Sequence, residues 1–255
     1  MSHIVHPYSH RIGIIRGWKS RWFADTKNYP TLVKGDMLIR NFIEKNYRGY
    51  YIAGVEIERS AKTFRIIIKT SRPGMLIGKG GDGVTKLKAE LKKLLTKAKL
   101  LDDKQEIRLD IEEVRSPESN AMIVAQTMAE MLEKRMTFRR VMKQTIEKCM
   151  MNRDVKGVRV ALAGRLGGAE MSRNEELKAG QVPLQTFRAD IDFARYEAHM
   201  TYGQIGIKVW IYRGEIFGNE TDKKVGVSND RRGGFGRDNH MRRDGARRDF
   251  NRVNK

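Results

Sequence analysis

Apolar residues recur along this chain with two periods, and the places where the period changes divide it into blocks. After an irregular start, Asp36 stands as an N-cap before a helical repeat in Met37, Ile39, Phe42 and Ile43. Tyr47 to Tyr51 reads as a loop. Val55 and Ile57 then alternate with Glu56 and Glu58, the pattern of a half-buried strand, and Phe64 to Lys69 is a second, β-branched strand. Pro73-Gly74 and a run of glycines interrupt. The helical period resumes with Val84, Leu87, Leu91, Leu94, Leu95 and Ala98 on one face, and Ile107, Leu109 and Ile111 give a third strand. Three strands and two long helices fit one core of about 80 residues.

Pro117 opens a second block. Ala125, Met128, Ala129, Leu132 and Met136 are in helical register over residues 119 to 135. Thr137 is placed to cap the next helix, which gathers Phe138, Val141, Met142, Ile146 and Cys149 on one side. Arg139, Arg140 and Lys143 fall together on the other side, a pure cation cluster rather than the mixed face of an ordinary solvated helix. Three alternating segments follow: Val158, Val160 and Leu162; then Phe187, Ala189, Ile191 and Phe193; then Ile207, Val209 and Ile211. In the last two, Arg188, Asp190 and Asp192, and Lys208, Trp210 and Tyr212, take the opposite face. The pattern predicts an α+β protein of two domains, residues 35–115 and 116–218, the second being two helices followed by a sheet. Residues 1–34 read as an arm. From 219 to 255 the sequence becomes Arg/Gly-rich and too poor in apolar residues to fold alone, the composition of a disordered basic tail that binds RNA loosely or simply aids solubility.

Charge narrows the class. The 255 residues carry a formal net charge of +20, with a pI near 10.1, which points to a polyanionic partner. No run approaches the ~18 apolar residues of a membrane span, and Met1 to Pro7 lacks the layout of a signal peptide, so a soluble, cytoplasmic protein is expected. Cys149 is the only cysteine and reads as a buried thiol. His3, His6 and His10 have no acidic or thiol companions, so no metal site is assigned. No acid/base pair, Ser/His/Asp order or Cys/His dyad is present, so no catalytic residue and no cofactor are assigned either. The arm interleaves Arg11, Arg16, Trp18, Lys19, Arg21, Trp22 and Phe23. Its rings and cations suit an RNA surface, or else the rings pin the arm to the core.

The most informative stretch is Ile77-Gly78-Lys79-Gly80-Gly81. Glycines allow close backbone approach, and the stretch leads into a helix N-terminus, where an anion is favoured. A Walker loop does not fit: only three residues separate Gly74 from Gly78, and Gly80 stands where a hydroxyl is needed. A dinucleotide fingerprint matches literally at Gly78, Gly80 and Gly83, with Asp102 beyond, but Pro73-Gly74 separates it from the strand it should follow. The remaining readings are the G-x-x-G clamp of a KH domain, Gly78, Lys79, Gly80 and Gly81, and a plain glycine turn. Lys86, Lys88, Lys92, Lys93 and Lys97 lie mostly off the apolar face of the following helix, where they either support the clamp or are ordinary solvated surface.

Several blocks in one order resemble a known family. Val5-His6-Pro7, Trp22-Phe23-Ala24, Arg72-Pro73-Gly74 leading into Ile77-Gly78-Lys79, and Phe138-Arg139-Arg140 belong to this set. So do Gly164-Arg165-Leu166-Gly167-Gly168-Ala169-Glu170, Arg188-Ala189-Asp190-Ile191-Asp192 and Lys208-Val209-Trp210-Ile211. Together they are similar to the bacterial small-subunit ribosomal protein conventionally numbered three, from near the N-terminus to about Gly218. The resemblance implies a type II KH domain followed by an α+β domain, in a non-enzymatic protein of the small-subunit head. It implies contacts with small-subunit rRNA, with the small-subunit proteins numbered ten and fourteen, and, with proteins four and five, a place lining the mRNA entry channel. The channel-facing basic residues of the family fall on Arg139, Arg140 and Lys143, which would hold incoming mRNA and help strip its structure. Arg165 and the basic and tryptophan residues of the arm become rRNA-binding candidates. Tyr47 to Tyr51 departs from the commoner family pattern, and the tail is variable there. Two other classes stay in view: a nucleotide-dependent enzyme using the glycine loop, and a free regulatory KH protein binding single-stranded RNA.

Overall fold

The computed structural model describes residues 5–60, 63–98 and 106–217; the tail at 219–255, His3 and Asp102 lie outside the described residues. The chain runs β1 (Ser20–Arg21), α1 (Tyr29–Asn46), β2 (Ile52–Arg59), β3 (Thr63–Thr70), α2 (Pro73–Ile77), α3 (Asp82–Lys97) and β4 (Glu106–Glu113). It continues with α4 (Ala121–Glu133), α5 (Phe138–Met150), β5 (Gly157–Gly164), β6 (Arg173–Gly180), β7 (Ala189–Met200) and β8 (Gly203–Glu215).

The first sheet has the order β1-β2-β3-β4, with β2 antiparallel to β3 and β3 parallel to β4. Helices α1 and α3 bury Ile39, Ile43, Leu87, Leu91 and Leu95 against Ile57, Phe64, Ile66 and Ile68 on one face. The other face is laced by ion pairs: Lys69 to Glu56 at 2.6 Å, and Arg65 to Asp110 at 2.5 Å and to Glu58 at 3.4 Å. The alternation that sequence periodicity predicts is therefore present, apolar toward the helices and charged toward water.

Helix α1 begins at Tyr29, with Pro30 in its first turn, and not at Asp36. Asp36 is an interior helical residue, 5% exposed, that accepts from the Arg59 guanidinium at 2.6 Å and from Trp22 Nε1 at 2.8 Å. A carboxylate held by two distant donors resembles a cap in sequence, but here its acceptors serve tertiary partners. Pro73-Gly74 is likewise not a plain break. Proline at the first turn is compatible with a helix, and it opens the short α2 that precedes the glycine loop.

The second sheet has the order β6-β5-β8-β7, all antiparallel. It has four strands where the sequence pattern predicts three. The additional β6 is an edge strand in which only Leu177 and Ala179 are hydrophobics packed on the core, so its apolar signal is weak. β7 starts at Ala189, and Phe187 lies before it, 51% exposed. Helices α4 and α5 cover one face, with Val141, Met142, Ile146 and Cys149 on Val158, Val160, Leu162 and Val209. The opposite face is covered as well. Trp210 and Tyr212 are 5% and 6% exposed and cluster with Ala189 and Ile191.

The arm covers that region. Arg11 is fully buried and donates to the carbonyls of Pro7, Leu184 and Thr186, each at 2.9 Å. Arg16 meets the buried Asp190 at 2.5 Å. The His6 and His10 rings lie 4.8 and 4.2 Å from those of Phe193 and Phe187. The two domains meet through Tyr51, a non-glycine residue at φ 51°, whose hydroxyl donates to Glu130 while Arg72 stacks 4.4 Å over its ring. Gln126 Nε2 adds a bond to the Ile52 carbonyl at 3.1 Å.

Candidate nucleic-acid interface

Two exposed basic surfaces emerge once every cation is traced to its partners. The first is the loop between α2 and α3. Gly78, Gly80 and Gly81 have φ of 70°, 62° and 89°, values that side chains with a Cβ rarely adopt, so the chain can turn sharply here only with these residues. Gly80 and Gly81 have nothing within 4 Å of a Cβ position, so their backbones stand clear for a ligand. Gly83 serves differently. A Cβ there would sit 2.3 Å from the Leu76 carbonyl oxygen, so Gly83 lets α2 and α3 pack closely and sets the angle of the loop. Lys79 is exposed at the tip, and Met75 and Ile77 beside it are 51% and 40% exposed, an apolar shoulder for a base. Asp82 occupies the first turn of α3, so a phosphate at this helix end meets Lys79 and a carboxylate together. Lys86, Lys88, Lys92, Lys93 and Lys97 are all exposed on the same helix.

The second surface is the start of α5. Its buried face is Val141, Met142, Thr145, Ile146 and Cys149, and burial pushes the Cys149 thiol up to about 12. Arg139, Arg140 and Lys143 point outward and are exposed. Arg139 has one long ion pair, 3.7 Å to Glu175, with 71% of its side chain exposed. Among the described residues Arg140 and Lys143 have no carboxylate within 4 Å. Thr137 occupies the N-cap position but its hydroxyl makes no capping bond, and no acidic residue lies in the first turn. Two arginines at the positive end of a helix dipole are an unfavourable arrangement without an anion. The glycine-rich turn after β5 adjoins this helix end, since a Cβ on Gly167 would lie 3.9 Å from the Phe138 ring. Arg173 and Arg139 lie 5.3 and 5.6 Å from the centre of that ring. Arg165 is exposed, donates to the Ala169 carbonyl at 2.7 Å and lies 5.7 Å from the Tyr202 ring. The structure thus groups Arg165 with the α5 cluster, which sequence order alone does not suggest. Arg173 joins the group without having been marked by sequence, because it sits on the weakly signalled strand β6.

The arm candidates divide. Arg11 is fully buried and bonded to carbonyls. Arg16 is committed to Asp190. Trp22 is half-buried and bonded to Asp36, and Arg21 lies over Glu56 and Glu58 at 3.5 and 3.2 Å. Arg11, Arg16 and Trp22 serve the fold because each finds a partner that its neighbours in sequence do not reveal, whereas Arg21 is paired but 45% exposed. Trp18 and Phe23 are 67% and 93% exposed, and Lys19 is exposed at the rim of a cleft, so these three remain accessible.

Comparison with known proteins follows this division of the chain. The family model described as KH domain matches residues 38–119, and that described as ribosomal protein S3, C-terminal domain, matches residues 128–211. The small ribosomal subunit protein uS3 of Clostridium botulinum (strain Okra) is 45% identical over 216 residues, covering 85% of this chain and 93% of that protein. The proteins of the same name from Clostridium tetani and Clostridium perfringens are each 44% identical, covering 89% and 90% of this chain and 100% of their own length.

Proposed function

The chain belongs to the small ribosomal subunit protein uS3 family, and from that membership we propose that its α5 face holds incoming mRNA while its glycine loop grips single-stranded RNA. At the coarser level it is a non-enzymatic, structural, rRNA-binding protein of the cytoplasmic small ribosomal subunit. The α5 proposal rests on one observation. Arg140 in the first turn of α5 and Lys143 in the second stand exposed, without a carboxylate partner among the described residues, beside a helix end that would favour an anion. Phosphates of a passing strand supply the missing charge, and no base-specific contact is needed for that. Arg165 extends the same surface, and Arg173 adjoins it while paired with Glu175 at 3.2 Å. Gripping a strand there while the ribosome advances would oppose the passage of paired RNA and help open it, with peptide elongation driving the movement.

The neighbours in this scheme are the small-subunit proteins numbered four and five at the mRNA entry, and ten and fourteen elsewhere in the head. A photoreactive residue in place of Arg140 in reconstituted small subunits is expected to crosslink to mRNA downstream of the decoding position. Crosslinks to rRNA or protein alone would sink the mRNA assignment. The enzyme alternative finds no support in the site, because Lys79 and Asp82 are the only titratable residues in the loop and the first turn of α3.

A further inference from the structure

The arm, the first domain and the second domain together enclose a cleft of about 680 Å³ that neither basic surface uses. Its wall includes Tyr8 and Lys19 from the arm, Arg40 and Val55 from the first domain, and Met122 and Arg195 from the second. Seven lysine and arginine side chains line it against three carboxylates. Four of the cations are matched by acids: Arg16 by Asp190, Arg48 by Glu133, Lys69 by Glu56, and Arg213 by Asp192.

Lys19, Arg40 and Arg195 have no carboxylate within 4 Å among the described residues. Arg40 instead donates to the Val55 carbonyl at 2.9 Å and the Ser20 hydroxyl at 2.8 Å. Lys19 is held 4.9 Å from the Tyr8 ring centre, and Arg195 lies 5.6 Å from that of Phe193. Burial against the cleft walls pulls the Lys19 ammonium below its ordinary value; Asp192 and Glu56 oppose this, and Arg40 and Arg16 add to it. Cations gathered this way raise the energy of the empty cleft, and an anion relieves it.

We propose that this interdomain cleft binds a phosphate-bearing ligand of nucleotide size, its phosphate set among Lys19, Arg40 and Arg195. The volume lies in the range of small-ligand sites and far exceeds what an inorganic phosphate fills. Ile43, Ile52, Val55 and Met122 supply the apolar wall against which the rest of a nucleotide would lie. A second hollow of about 430 Å³ shares Glu44, Arg48, Arg195 and Tyr196 with the first, so the ligand is either a free nucleotide or one unit of a strand continuing along the trench. Because three parts of the chain form the wall, binding ties the arm and both domains together.

The test uses the full chain carrying Gly80→Asp, so that the glycine loop contributes little, and follows its melting temperature with AMP, inorganic phosphate or a single-stranded RNA hexamer. A saturable rise is expected with AMP or with the hexamer. Lys19→Gln and Arg195→Gln should each weaken the apparent affinity on the order of tenfold, while melting no lower than the parent without ligand. A rise with AMP identifies a free nucleotide as sufficient, and a rise with the hexamer alone identifies a strand. The proposal is overturned by no saturable rise with either, by a rise that both substitutions leave unchanged, or by inorganic phosphate matching AMP at equal concentration. None of these failures touches the α5 proposal, whose residues are intact throughout.

Discussion

The arginines of the arm and those of α5 look alike in sequence and end in opposite surroundings. Both groups are basic residues beside aromatic ones, Arg11 and Arg16 near Trp18, and Arg139 and Arg140 after Phe138. Arg11 ends fully buried on three carbonyl oxygens, and Arg16 ends on Asp190. Arg140 and Lys143 end in solvent with no carboxylate partner among the described residues, and Arg139 has only one distant one. Positive charge alone therefore does not single out the cations open to a polyanion in this protein; the absence of a counter-charge from their own fold does.

The largest expected effect breaks the comparison on the arm side. Arg11→Met keeps the volume but strips the Pro7, Leu184 and Thr186 carbonyls of their donor, at a cost of about 3 kcal/mol. In a chain of this size that lowers the melting temperature by roughly 6–12 °C. A variant that melted normally and lost RNA affinity would return Arg11 to the RNA surface. Gly80→Asp sharpens the other side. Aspartate enters the left-handed region more readily than most side chains, and nothing lies within 4 Å of its Cβ, so the strain at φ 62° should cost about 1 kcal/mol and leave the chain folded. Its carboxylate would face a phosphate, and binding to single-stranded RNA should weaken several-fold; unchanged affinity at equal melting temperature would show an idle loop.

The smallest effect lies on the buried side of α5, opposite the cations. Cys149 is 1% exposed, and its thiol is moved from an ordinary 9.0 to about 12 by burial, with Glu118 adding to it. An acid whose pKa is raised by folding contributes stability that is fully present below the unfolded value and lost as pH climbs toward the folded one. Stability should therefore fall from about pH 9 upward, and more gently in Cys149→Ala. Native alkylation at pH 8 should be slow and become rapid only in denaturant. Fast native alkylation would mean that the core beneath α5 is open.

The sequence made the glycine loop, the flanking strands and helix α3 legible, because glycine, β-branching and helical period each leave a local mark there. It made the outward trio on α5 legible for the same reason. What it hid depends on partners distant in the chain. Asp36 passes for a cap until Trp22 and Arg59 are seen on it. Trp210 and Tyr212 alternate away from the helix-covered face, and what buries them, Val182 and Leu184 of the loop before β7, leaves no mark near them in sequence. Strand β6, polar at an edge, carries too few apolar residues to announce itself, and with it Arg173 stays unmarked.

The decisive measurement is the salt dependence of single-stranded RNA binding, for the parent chain and for the variant with Ala at Arg139, Arg140 and Lys143. Each neutralised phosphate contributes roughly 0.7 to the slope of log affinity against log salt, so the triple variant should lose about 2. Its melting temperature should be unchanged or slightly higher, since the helix end sheds unfavourable charge. An unaltered slope in a folded variant would place these cations off the RNA path and contradict the account.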